Sequence, residues 1–428
     1  MKKLINIKII EFLFILVILS GAFLIELKDT WFHPDESMWI NQSSHFEDFF
    51  RGRFARIAQG REDLALQMPT IPEFTIGLSR RLGGYDPSEL NKMWDWGKSY
   101  EVNAAIGSIP SENMIWWSRF LPAILGIASI IITFYILKVS FGISVGYIWL
   151  VLTLVNDWLI NALQRAMSES PILFCIVIAM LAGYLAIKSF NPDRKSMIYS
   201  LLWLRIFAIF TGLAGESKLN GLAIFLSGIA ILLFLTNRCN REMRWKFFII
   251  GLLGISILTF LFFVGTNPFL WSDPIGKTLQ TFNYRVHLLK DLQPSSFPQM
   301  AVHGWQDQIR VDFEQIFRNL TSIHFLNSDY LKFLLTLLGI SAFIATVLPS
   351  FDKKNSLRIN AAALSILFVG FFASLPNFFS PLNLDRYFLL PVFFVSIMIA
   401  IGIDWLLKYI GRQESIKKVV QVTDVKKS

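Results

Sequence analysis

Cysteine is almost absent: two residues in 428, Cys175 inside an apolar run and Cys239 in a basic connection. That excludes a disulfide framework, and no cysteine spacing of the metal-binding kind occurs. Charge is scarce as well, at 17% of residues against 54% hydrophobic, with a mean hydropathy of +0.51. This balance excludes a soluble globule and describes a polytopic membrane protein. Strand-period alternation, internal repeats, low-complexity tracts and a separable soluble domain are all missing. Lipid offers no partner to unpaired backbone, so without β-period segments the spanning form is the helix. A small-residue cleavage site is missing after Lys2, Lys3 and Lys8, so the first apolar run is expected to be an uncleaved signal-anchor.

Long apolar runs are what the chain has. Ten are expected to span, at 8–26, 115–137, 141–160, 170–188, 197–215, 218–236, 246–265, 331–349, 358–376 and 387–409. Each is close to the ~20 residues that cross a hydrocarbon core. The 40 Phe and 13 Trp suit aromatic belts at the two interfaces. The expected class is therefore an all-α polytopic bundle forming one integral-membrane domain over residues 1–428.

Lys and Arg set the orientation. Lys138, Lys188, Arg194, Lys195, Arg238, Arg241, Arg244, Lys246, Lys353, Lys354 and Arg358 all fall on the side of the N-terminus. So does the basic tail, 410–428, with Arg412, Lys417, Lys418, Lys426 and Lys427. Both termini are thus expected in the cytoplasm, at a plasma (inner) membrane. The net charge of +9 is mostly this positive-inside signal, which argues against nucleic acid as a partner. Two long segments, 28–114 and 266–330, face the other side. The first holds weakly amphipathic pieces near Met38–Ile57 and Ile71–Leu82, expected along the membrane surface. The second reads as a small, mainly helical cap; loops of this length are usually functional.

On that extracytoplasmic side the polar residues at helix ends collect. Asp35 and Glu36 follow the first span in Trp31-Phe-His-Pro-Asp-Glu36. Arg119 opens the second span, and Arg165 and Glu169 lie between the third and fourth. Lys218 precedes the sixth, and Asp385-Arg386-Tyr387 opens the tenth. A carboxylate among fixed cations at the mouth of a bundle fits group transfer from an anionic, lipid-linked donor. The carboxylate takes the proton of an attacking hydroxyl. The cations hold a phosphate and the charge that grows on it as it leaves. Neighbours 35 and 36 point a quarter-turn or more apart on a helix, so they are no shared-proton dyad. Blander readings accompany each site. Arg165 and Glu169, four apart, suit a helical salt bridge, and Arg119 suits an interfacial snorkel, against a contact to the donor or to an acidic residue. Asp385 reads as the N-cap of the last helix. One His and two consecutive acids cannot wrap a tetrahedral ion, so no metal is expected; a divalent cation would need ligands from other loops.

Six segments then carry a resemblance over nearly the whole chain: Asp35-Glu36, Arg119-Phe-Leu-Pro-Ala-Ile-Leu-Gly126, Arg165-Ala-Met-Ser-Glu169, Ser217-Lys218, Asn267-Pro-Phe-Leu-Trp271 and Arg386-Tyr-Phe-Leu-Leu-Pro391. In order and side they resemble the GT-C superfamily of polyprenyl-phosphate-sugar glycosyltransferases, nearest to the protein-O-mannosyltransferase and aminoarabinose-transferase group. The resemblance implies a GT-C-like bundle, a polyprenyl-phosphate sugar donor of the undecaprenyl or dolichyl type, and an extracytoplasmic acceptor that is a protein, lipid or glycan. It implies Asp35 as base with Glu36 beside it, Arg119, Lys218 and Arg386 on donor phosphate or acceptor, and Glu169 in positioning. The second loop is too short for the β-trefoil domain of eukaryotic mannosyltransferases, which points to a bacterial-type member. Two other classes compete. A transporter or flippase of a lipid-linked or anionic solute would place its polar groups near the midplane. A scaffolding subunit would leave the one-sided cluster without a purpose.

Overall fold

A computed structural model of the chain describes residues 2–59, 66–320, 328–348 and 360–425. Residues 60–65 of the first expected loop, 321–327 of the second, the connection 349–359 with Lys353, Lys354 and Arg358, and Lys426 and Lys427 of the tail lie outside the described residues.

Among the described residues the elements are helical and no strand is present. The first span, α1 (Lys2–Leu24), leads into three pieces that carry the site: α2 (Pro34–Gln42), α3 (His45–Phe50) and α4 (Thr70–Leu82). The bundle continues with α5 (Glu112–Phe141), α6 (Ile143–Leu154), α7 (Asp157–Gln164), α8 (Glu169–Ser189), α9 (Arg194–Gly215), α10 (Ile224–Thr236) and α11 (Arg241–Gly265). After α12 (Pro274–His287) and α13 (Gly304–Asn319) come α14 (Asp329–Val347), α15 (Ala361–Ser374) and α16 (Leu389–Val425). Nine of the described helices are long and apolar enough to cross a membrane, ten if the bent pair α6–α7 is one span.

The expected span at 141–160 is bent by 73° where α6 gives way to α7. Asn156 is the cause: its Oδ1 accepts from the Leu159 N–H at 3.0 Å, which caps a new helix and releases the old one. Just upstream, Gly142 at φ +112° makes the reversal between α5 and α6 in a region closed to other side chains.

Helix α8 is the centre of the bundle, packed against α5, α9 and α15. Helices α14 and α16 cross without side chains between them: a Cβ on Gly339 would collide with the Met398 carbonyl, and one on Gly402 with the Leu335 carbonyl. Close backbone approach through small residues is how membrane helices gain contact where lipid removes the hydrophobic drive. Gly402→Val is therefore expected to cost about 1–3 kcal/mol, read as a lower thermal midpoint in detergent. Gly265→Ala, where a Cβ meets nothing within 4 Å, is the matched control. Equal midpoints for the two variants would refute the crossing.

The amphipathic pieces expected on the membrane surface are helical. Helix α4 packs against α5 and buries Glu73, Ile76, Ser79 and Arg80. Its Leu78 and Leu82 stay exposed. Ser79 has a specific task there. Pro122, inside α5, brings no N–H and opens the helical ladder. Ser79 Oγ fills in, accepting from the Leu121 N–H at 2.9 Å and donating to the Trp117 carbonyl. The buried Arg80 binds Glu47 on α3, with its Nε donating to Ser43 Oγ at 2.7 Å.

Candidate active site

The His33-Pro-Asp-Glu36 stretch is a capping box. His33 caps α2, Pro34 takes the first helical position, and Glu36 reaches back to the cap. Proline is tolerated there because its missing N–H would be unpaired anyway. The Asp35 N–H donates to His33 Nδ1 at 3.1 Å, so the imidazole proton sits on Nε2. Burial, together with the charges of Arg386 and Arg165, lowers His33 to about 4. The ring is neutral at physiological pH and serves as an acceptor.

Asp35 and Glu36 lie at N2 and N3 of that helix and part company. Both oxygens of Glu36 are consumed. Oε1 accepts from Arg119 Nε at 2.8 Å and from the Ala166 N–H at 2.9 Å. Oε2 accepts from Arg119 Nη2 at 2.7 Å and from the His33 N–H at 3.0 Å. Burial alone would raise this carboxyl, but Arg119 and the two backbone donors outweigh it and hold Glu36 below the usual range. Arg119 is just as fully used. Its Nη1 donates to the carbonyls of Leu27 and Thr30, each at 2.8 Å. The pair is 0% exposed and fastens the end of α1 to the start of α2. Neither residue borders the adjacent chamber.

That chamber encloses about 650 Å³ at one end of the bundle. Asp35 and His33 line it, with Glu169, Lys218 and Arg386. Trp39, Trp94, Trp96 and several methionines form its apolar wall. Asp35 is ion-paired with Arg386, the two side chains 17% and 22% exposed. Lys218 Nζ lies 3.3 Å from Glu169 Oε1 and 5.1 Å from the Tyr387 ring centroid. The resulting arrangement is a part-open carboxylate facing fixed cations in a chamber with flat aromatic walls.

Other expected residues fall elsewhere. Arg165 ends α7 in an extended conformation, so residues 165 to 169 make no helical turn and the i,i+4 bridge to Glu169 does not form. Its guanidinium covers the Trp31 ring at 5.6 Å instead, and it is not among the chamber's lining residues. Asp385 is not an N-cap: it starts a short 3-10 turn whose cap is Leu384, and it accepts from Trp158 Nε1 at 3.3 Å. Among the described residues no group of three or more His, Cys, Asp or Glu side chains is placed to hold a metal ion.

Two lining residues escape the sequence reading. Glu216 is 2% exposed and borders the chamber. An acid next to Ser217-Lys218 on the same side was the available signal. Arg285, on α12, also lines the chamber, its Nη2 lying 3.5 Å from the Tyr387 hydroxyl. Its signal was only a cation in a loop whose fold is illegible from composition.

The sequence model of the dolichyl-phosphate-mannose-protein mannosyltransferase family matches residues 39–269, more than half of the 428. The chain belongs to this family. The family match includes Arg119, Arg165, Glu169, Glu216 and Lys218, and begins just after Asp35 and Glu36. No curated protein matches by sequence. Among solved structures, ArnT from Cupriavidus metallidurans bound to undecaprenyl phosphate is similar with a TM-score of 0.50 at 13% identity, over 94% of this chain and 62% of that one. The archaeal oligosaccharyltransferase AglB from Archaeoglobus fulgidus, in complex with an inhibitory peptide and a dolichol-phosphate, is similar with a TM-score of 0.51 at 11% identity, over 95% of this chain and 51% of that one. The family member thus has the GT-C fold of integral-membrane glycosyltransferases, and it spans about half to three-fifths of the length of these two proteins.

Proposed function

We propose that this protein moves a sugar from a polyprenyl-phosphate carrier to a hydroxyl of an extracytoplasmic acceptor, with inversion at the sugar. The observation that carries the reading is the Asp35–Arg386 pair at the edge of a chamber that also holds Lys218 and Arg285. Family membership and the carriers named for the two similar structures support it. The distribution of Lys and Arg supports a plasma (inner) membrane protein with cytoplasmic termini and this chamber outside.

The donor phosphate competes with the Asp35 carboxylate for Arg386, while Lys218 offers a second cationic contact. Once phosphate holds the guanidinium, Asp35 is free to take the acceptor's proton. The acceptor oxygen bonds to the anomeric carbon as the carbon–phosphate-oxygen bond breaks. The electron pair leaves with polyprenyl phosphate, whose charge the cations stabilise. Glu36 and Arg119 position Asp35 by fixing the helix start and touch no substrate. Glu169 orients Lys218, and Arg165 fixes Trp31 beside the helix start.

The test is turnover of polyprenyl-phosphate-linked hexoses and pentoses by purified protein, compared with the lipid-linked sugars that accumulate in a deletion strain. Transport of the lipid-linked sugar without bond cleavage would replace this reading with the flippase. Within it, Lys218→Gln is expected to lower kcat/KM for the donor by about 10- to 100-fold, the worth of one hydrogen bond to a charged group. An unchanged kcat/KM would remove Lys218 from the phosphate site.

A further inference from the structure

Among the described residues, two carboxyls that line the chamber have no cation partner, the exposed Asp385 and the buried Glu216. Asp35 has Arg386 and Glu169 has Lys218. Glu216 is met by neutral groups: Oε2 lies 3.3 Å from Thr70 Oγ1, 3.4 Å from the Thr70 N–H and 3.2 Å from Asn267 Nδ2. The single hydroxyl proton of Thr70 is shared between the Thr266 carbonyl at 2.9 Å and Glu216 Oε2 at 3.3 Å, which leaves the carboxylate weakly compensated. When the carboxyl carries a proton, Oε1 is a neutral acceptor on the chamber wall, with Asn267 Nδ2 at 3.4 Å.

We propose that neutral Glu216, with Asn267 and Thr70, forms a hydrogen-bonding subsite for a sugar hydroxyl of the donor, and that ionising it weakens the chamber's hold on the anionic donor. This rests on the function proposed above. Burial pushes Glu216 up to about 7, and the charge of Glu73 acts in the same direction, against the hydrogen bonds from Thr70 and Asn267. Around it, α4 contributes Glu73, bound to His45 of α3 at 2.7 Å. Its own segment contributes Lys218 with Glu169, and the turn after α11 only the neutral Asn267. Across the chamber, α12 contributes Arg285 and the last span Arg386 and Tyr387. None of these cations is bonded to Glu216.

The experiment measures binding of a polyprenyl-phosphate hexose, a phosphodiester with one charge throughout, from about pH 6 to about pH 8.5, to either side of the Glu216 transition. Wild-type affinity is expected to fall by about tenfold as the carboxyl ionises near the phosphate. Glu216→Gln, neutral and isosteric, is expected to bind with the low-pH wild-type affinity at every pH. Thr70→Val, which removes the side-chain hydrogen bond that lowers Glu216, is expected to move the wild-type transition to higher pH, so the proposal stays testable if Glu216→Gln misfolds. A flat wild-type profile, or an unchanged slope in Glu216→Gln, overturns the Glu216 assignment alone. Absence of donor binding by every protein at every pH overturns the proposed function and this subsite with it.

Discussion

Asp35→Asn is expected to lower kcat for sugar transfer by about 10²- to 10⁴-fold, the usual worth of a positioned general base, with no rise in the donor KM. The reason is in the geometry. The asparagine keeps the backbone N–H that binds His33 Nδ1, so the helix cap survives. It loses the ion pair with Arg386, which is partly open to water and contributes no more than about 1 kcal/mol. The guanidinium released in this way holds donor phosphate at least as well as before. Chemistry is lost while binding is kept, and that split separates a missing base from a damaged pocket. Steady-state kinetics with a polyprenyl-phosphate sugar decide it: a wild-type kcat in Asp35→Asn would sink the mechanism.

The bundle was legible because membrane burial writes itself into composition. Apolar runs gave the spans, and Lys and Arg placed the polar ends on one side. Adjacent acids are a different matter. Positions 35 and 36 differ by one residue, about 100° around a helix, and only the phase of α2 decides which faces the chamber. That phase is set by His33 and by Arg119, which is 83 positions from Glu36. A window of sequence does not contain it. The same distance effect hid Glu216, whose partners Thr70 and Asn267 come from two other loops. The error at Arg165 and Glu169 was of another kind: the spacing suited a helix, but the chain is extended at 165. Asn156 shows the converse, since a helix-capping residue within an apolar run was a readable sign of the break between α6 and α7.

Arg119→Ala is expected to be the most destabilising single change near the site, at about 3–5 kcal/mol, because it leaves a buried carboxylate without its partner. Glu36 keeps two backbone donors in the variant, from His33 and Ala166, but loses its counter-charge where no water reaches it. The carbonyls of Leu27 and Thr30 lose their donor too. Arg119→Lys should recover little, since an ammonium cannot pair both Glu36 oxygens while serving two carbonyls. Glu36→Gln errs in the other direction, stranding the guanidinium, and Glu36→Gln with Arg119→Met should be milder than either single change if the pair is the cause. The pH dependence has a defined sign. Glu36 is held below its ordinary value in the folded protein. Its stabilisation is therefore complete above about 4.3, the unfolded value, and is lost as pH falls through the lower folded value. Wild-type thermal midpoints in detergent should drop on that acid side, and a Glu36→Gln variant should lack this part of the drop. Arg119 and Glu36 touch no substrate in this scheme, so surviving folded variants should bind donor while turning it over slowly, through a displaced Asp35. A wild-type midpoint in Arg119→Ala would show that the buried pair does not hold the helix start, and the positioning role would fall with it.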